Sequence, residues 1–225
     1  MMGKQINVPT AGTQCIGAYL AEAEGKPKGG VVVIQEIFGV TPHIRSVADR
    51  FATMGYTAIA PAFFDHLESD VQLDYSDAGM AKGRQLVGEL GLDRAVEDVA
   101  SAAEAIASAG KIGTVGYCWG GTVAFLSAIR LGLPSVSYYG ARNVPFLEEK
   151  LKAPVMFHFG ENDTSIPPDM VAKHRQMLSQ MDVYTYPGAG HAFNREVDPS
   201  HYHEASAELA LKRTLAFFDT YLAGA

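Results

Sequence analysis

Residues 112–131 limit what this chain can fold into more than any other stretch. An apolar run, 112–115, leads into Gly116-Tyr117-Cys118-Trp119-Gly120-Gly121, and a helical pattern over 122–131 leads out. The spacing Gly116-x-Cys118-x-Gly120 suits a strand–turn–helix elbow that holds one nucleophilic side chain proud of a sheet. Cys stands where most such turns carry Ser. Flanking residues without Cβ let strand and helix close around a strained central position. The helix N-terminus then lies beneath the thiol, where its free N–H groups and dipole favour a thiolate and a developing oxyanion. A glycine-rich turn over a buried cysteine fits the same letters, so the rest of the chain has to choose.

The remaining pattern is strand, helix, strand, helix. Residues 6–20 read as one or two edge strands, with a turn at Gly12. Val31-Val32-Val33-Ile34 is a continuous β-branched run, as expected of a strand buried on both faces of a parallel sheet. A helix over 42–54 follows, with Thr41 as N-cap and Pro42 in its first turn. Residues 56–60 form the next strand. Over 62–92 aromatics mix with acids; a short helix over 77–90 is weakened by Gly79, Gly83 and Gly88, and this stretch is a candidate lid or pocket wall. Asp93 caps a helix that Gly110 ends. Further strands are predicted over 135–139, 154–159 and 183–186, with helices over 168–181 and 202–222. The alternation predicts an α/β fold with a mostly parallel central sheet and helices on both faces, as one domain over residues 1–225.

In such a sheet, reactive groups gather beyond the carboxyl ends of strands. Glu36, Cys118, Asp163 and His191 each fall just past a predicted strand. Three of them run nucleophile, acid, histidine, the chain order of an α/β-hydrolase triad. Glu161 competes with Asp163 in the same turn. The approach Gly188-Ala189-Gly190 lets a loop carry the imidazole close to the thiol. In this chemistry histidine moves the thiol proton, aspartate orients the ring, and thiolate attacks an ester or lactone carbonyl. The backbone N–H groups of Ile37 and Trp119 are the candidate oxyanion donors. His201, His203 and Glu204 look like metal ligands at first, but the histidines' two-residue spacing does not share a helix face, so the reading is a solvated helix start and no metal.

Composition narrows the partners. Net charge is −7, which argues against nucleic acid and anionic membrane surfaces. Two cysteines support neither a disulfide framework nor a zinc cage, and Cys15 reads as a core or edge residue. The N-terminal residues lack an apolar leader, and no run reaches the ~18 apolar residues of a membrane span. The expectation is a cytoplasmic enzyme without a cofactor, monomeric or a weak homo-oligomer. The alternative is a non-hydrolytic ligand-binding or thiol redox-sensing module on the same fold.

Several stretches together resemble the dienelactone hydrolase (carboxymethylenebutenolidase) family. They are Gln35-Glu36-Ile37-Phe38-Gly39, Gly116-Tyr117-Cys118-Trp119-Gly120-Gly121, Tyr138-Tyr139-Gly140, Gly160-x-x-Asp163 and Gly190-His191-Ala192-Phe193-x-Arg195. The resemblance implies a Cys118–Asp163–His191 triad acting on a small ester or lactone that bears a carboxylate. It implies that Glu36 holds the resting thiol and helps to activate it. It also implies that Arg195 binds the substrate carboxylate and that Tyr139 is a further substrate-binding residue. Family members acting on dienelactone carry a second carboxylate-binding arginine after the third strand; here His66 stands at that place, with Arg84 in the next helix as the alternative.

Overall fold

A computed structural model describes residues 3–11 and 14–223, so the turn expected at Gly12 lies outside the described residues. The chain runs β1 (Lys4–Pro9), β2 (Cys15–Ala21), β3 (Gly30–Ile34), α1 (Pro42–Thr53), β4 (Thr57–Pro61), α2 (Asp77–Leu90) and α3 (Leu92–Ala105). It continues β5 (Ile112–Tyr117), α4 (Trp119–Arg130), β6 (Ser135–Tyr138), β7 (Val155–Gly160), α5 (Pro168–Met177), β8 (Asp182–Tyr186) and α6 (Glu204–Tyr221). The eight strands form one sheet in the order β1-β2-β4-β3-β5-β6-β7-β8. From β4 to β8 neighbouring strands are parallel, while β1 and β2 extend the sheet antiparallel.

This order places the site. β3 and β5 are neighbours, with Ile34 paired to Gly116, so the residues following each strand emerge side by side. β6, β7 and β8 then deliver their own carboxyl-end loops in sequence on the same edge. The β-branched run Val31 to Ile34 is wholly buried, as a central parallel strand requires.

Gly83 of α2 has a packing reason. A Cβ on Gly83 would strike the backbone carbonyl of Ile37. The helix therefore lies directly on the loop after β3, at the cost in helix propensity that the sequence shows. Its N-terminus is capped by the Ser76 hydroxyl, which accepts from the Gly79 N–H at 3.1 Å. Among the boundaries that differ from expectation are those of three helices. α3 starts two residues early because Gly91, at φ 76°, both ends α2 and opens α3; the Asp93 carboxylate instead takes Arg130. α4 starts at Trp119, immediately after the turn, and α5 stops at Met177 because Leu178 leaves helical geometry. Cys15 begins β2 and is exposed there.

Candidate active site

Cys118 sits between β5 and α4 at φ 57° and ψ −117°, outside the conformations L-residues prefer. Such a position costs about 1–3 kcal/mol and persists only where the surroundings impose it. Here they do. A Cβ on Gly116 would strike the Gly120 carbonyl, and one on Gly120 would strike the carbonyls of Ile34 and Gln35. The Cys118 N–H donates to the Tyr138 carbonyl at 3.0 Å, tying the turn to β6. Cys118, Tyr139 and Ala192 are three of the four non-glycine residues with positive φ among the described residues, and all three surround this centre.

Asp163 follows β7 and is buried. One of its oxygens accepts from the Ser165 N–H at 2.8 Å, and the other meets His191 Nδ1 at 2.7 Å. A carboxylate only accepts, so Nδ1 carries the proton toward Asp163 and Nε2 is left for the thiol side. Burial pushes the imidazole pKa down, but the hydrogen bonds and charges of Asp163 and Cys118 outweigh it and raise it to about 10. Cys118 and His191 both line a cavity of about 360 Å³, as do Ile37 and Trp119. Among the described residues the backbone N–H groups of Ile37 and Trp119 make no backbone hydrogen bond, so both are free to serve an oxyanion. Tyr139 packs its ring 5.1 Å from that of His191, between centroids, and its buried hydroxyl has no partner.

Beside this centre lies a buried ion pair. Arg195 donates from Nε to one Glu36 oxygen at 3.1 Å and from Nη2 to the other at 2.9 Å. Its Nη1 donates to Asp198 at 3.0 Å. The guanidinium also lies over the Tyr75 ring, 4.3 Å from its centroid. The Glu36 carboxylate faces Arg195 here and makes no hydrogen bond to Cys118.

The sequence profile of the dienelactone hydrolase family matches residues 16–222. A Synechocystis protein named "Putative carboxymethylenebutenolidase" is 32% identical over 242 residues, covering 96% of each chain. A Salmonella typhimurium protein of the same name is 35% identical, covering 85% of this chain and 77% of its own. The crystal structure of a "Putative Dienelactone Hydrolase" from Klebsiella pneumoniae superimposes with a TM-score of 0.86 at 31% identity, covering 97% of this chain and 98% of that one. The chain belongs to the dienelactone hydrolase family. It has the α/β-hydrolase fold and is a carboxylic ester or lactone hydrolase.

Within this dienelactone hydrolase family member, the remaining expected residues divide. Arg195 and Arg84 line the cavity. His66 does not. It lies in a short 3-10 turn, Phe63–His66, and its Nε2 is held by buried Asp98 at 2.9 and 3.0 Å. The turn points the ring toward α3 and away from the cavity, apart from the substrate position expected for it. Tyr139 backs His191 and is not part of the cavity lining. His201, read as a solvated helix start, reaches the cavity and contacts Asp198 at 2.7 Å. Tyr75 and Met80, from the 62–92 stretch read as a candidate pocket wall, line the cavity, and so does Arg142, which the sequence did not single out. No motif marks Arg142, since only the tertiary fold brings its segment beside α4.

One further contact fixes the loop that bears His191. Glu196 accepts from the Ser46 hydroxyl at 3.0 Å and lies 3.4 Å from both Arg50 and buried His43, all on α1. Burial pushes its carboxyl up, but His43, Arg50 and Ser46 outweigh this and hold it at about 2. Among the described residues no cluster has the composition of a metal site, and no helix is long and apolar enough to cross a membrane.

Proposed function

We propose that this hydrolase cleaves a small, dienelactone-like carboxylate-bearing ester or lactone through a Cys118–His191–Asp163 triad. The observation that carries this reading is the forced turn at Cys118, facing the same cavity as an imidazole oriented by Asp163. Sγ attacks the carbonyl carbon, and the oxygen that becomes anionic is met by the N–H groups of Ile37 and Trp119. The carbon–oxygen bond to the leaving group breaks, and that oxygen takes the His191 proton. A thioester and a neutral imidazole remain.

The second half follows from the same electrostatics. Forming the thioester removes the charge and hydrogen bond of Cys118, two of the influences that raise the His191 pKa. The ring then becomes a competent base. It takes a proton from water, the resulting hydroxide attacks the thioester, and the thiolate leaves to pair again with the imidazolium. Glu36 acts on the thiol only when its pair with Arg195 opens.

Hydrolysis of a panel of aryl esters and small lactones tests this reading. Replacement of Cys118 by Ala is expected to lower kcat by at least about 10³-fold, on the scale seen when a triad nucleophile is removed. Normal turnover by a folded Cys118→Ala protein would contradict it. No turnover by wild type, together with reversible oxidation of Cys118, would favour the thiol-sensing alternative.

A further inference from the structure

The two backbone N–H groups that face the cavity are held by different means. Trp119 opens α4, which packs on β5 and β6, and the Cys118 N–H beside it is tied to the Tyr138 carbonyl. The sheet itself therefore fixes the first donor. Ile37 lies in a turn after β3, outside any helix or strand. What holds that turn comes from residues 71–83. The Leu73 N–H donates to the Phe38 carbonyl at 2.8 Å, and Gly39 pairs with Gln72 in an isolated antiparallel bridge. Gly39 has φ 87°, and a Cβ there would strike the Val71 carbonyl. Gly83 of α2 then closes on the carbonyl of Ile37 itself, nearer than any Cβ would allow.

The three glycines of α2 are not alike. A Cβ on Gly79 would meet Asp74, in the lead-in to the helix, and one on Gly88 would meet nothing within 4 Å. Of the three, only Gly83 meets the turn that carries a candidate oxyanion donor. Met80, Gly83 and Arg84 share one helix face at i, i+3 and i+4, and Met80 and Arg84 line the cavity. The face of α2 that a substrate would meet is thus the face that rests on Ile37. The carbonyl and N–H of Ile37 hang on one Cα, so a displacement of the first is carried to the second.

We propose that Gly83, together with the Leu73 N–H, positions the oxyanion hole: the bare glycine lets α2 rest on the Ile37 carbonyl and so aims the Ile37 N–H at the substrate carbonyl oxygen. The inference rests on the hydrolase reading above. It makes the hole asymmetric, with one donor built into the sheet and the other set by a helix lying on a loop. A donor of this kind works only at hydrogen-bond distance from the developing oxyanion. A methyl group at position 83 lifts α2 or turns Ile37, and either weakens the second donor where charge builds up. The loss then falls on kcat more than on KM.

The test compares Gly83→Ala with Gly88→Ala, which add the same methyl group and the same helix propensity at different places. With 4-nitrophenyl acetate, kcat is expected to fall about 10–10²-fold in Gly83→Ala with KM little changed, the scale of a misplaced catalytic contact or a weakened oxyanion donor. Gly88→Ala is expected to turn over as wild type does. Rapid-mixing infrared spectra with an isotope-labelled acetyl group read the hole itself. Hydrogen bonds to a thioester carbonyl lower its stretching frequency, so the acetyl-enzyme band is expected at higher frequency in Gly83→Ala. A folded Gly83→Ala protein with either an unmoved band or a wild-type kcat overturns the proposal, as does an equal loss in Gly88→Ala. If Gly83→Ala does not fold, Leu73→Pro removes the N–H that holds the Phe38 carbonyl, and the same shift and the same overturning results apply to it. Acetyl-enzyme that forms normally with an unmoved band in the variant sinks this inference alone. A wild type that forms no acetyl-enzyme sinks the hydrolase reading, and the inference with it.

Discussion

Two histidines near the same end of the sheet have opposite fates. His158 in β7 is fully buried and has Tyr186 and Thr214 as partners, at 2.7 and 3.2 Å, with no carboxylate. Burial, and then the charge of Arg213, lowers its pKa to about 3, so it stays neutral. His191 also meets a burial penalty, but Asp163 and Cys118 reverse it and raise the pKa to about 10. The polar network around His158 joins β6, β7, β8 and α6 through Tyr138, Thr214 and Tyr186. It holds strands together, whereas the pair at His191 can move a proton. On the proposed mechanism, an acid partner and an open cavity, rather than burial or residue type, separate the reactive imidazole from the structural one.

The contrast can be broken from its strong side first. Asp163→Asn removes the acid that distinguishes the two rings. It is expected to lower kcat by about 10²–10⁴, with the His191 pKa falling back toward 6.5, read by pH–rate profiles and by NMR of the ring. In the unaltered protein, kcat/KM is expected to decline as pH rises through about 10, where His191 loses its proton. The stability part has the same sign. A pKa raised on folding gives stabilisation fully present below 6.5 and lost as pH climbs through about 10, which denaturant titrations at several pH values would show.

Next in size is the buried pair. Glu36→Gln strands part of the Arg195 charge and is expected to cost about 3 kcal/mol of stability, the lower end for a broken buried pair because Asp198 remains. Glu196→Gln is expected to weaken the hold of the His191 loop on α1. Its contribution is present above pH 4.5 and disappears as pH falls through about 2, so the variant and wild type should converge in acid unfolding curves. The smallest effect is on the silent ring. His158→Gln is expected to cost about 1–3 kcal/mol in thermal or chemical unfolding, with kcat retained. A large loss of kcat there would erase the contrast between the two histidines.

Much of the fold was legible because its signals are local. Val31 to Ile34 can satisfy a two-sided environment only in the middle of a sheet, and Gly55 and Gly110 stop the helices or turns before strands at φ 93° and 108°. Cys118, Asp163 and His191 could be nominated because each follows a strand. Long-range approach was not legible. Nothing beside His66 in sequence says that its turn faces Asp98, and nothing beside Arg142 says that Thr122 waits for its N–H. Arg195 was visible as a cation near the histidine, but its double carboxylate partnership depends on how the loops after β3 and β8 meet. Gly83 of α2 carried a misleading signal for the same reason: it lowers helix propensity locally and permits a contact with Ile37 that only the folded chain reveals.

On the proposed mechanism Cys118 becomes the acyl carrier. Acid-quenching the enzyme during turnover of 4-nitrophenyl acetate and mapping its peptides by mass spectrometry addresses this directly. One acetyl group on the peptide containing Cys118, appearing within the burst and absent from the Cys118→Ala protein, is the predicted result. Steady turnover with no acetyl group on that peptide, or with the label on another residue, would contradict it.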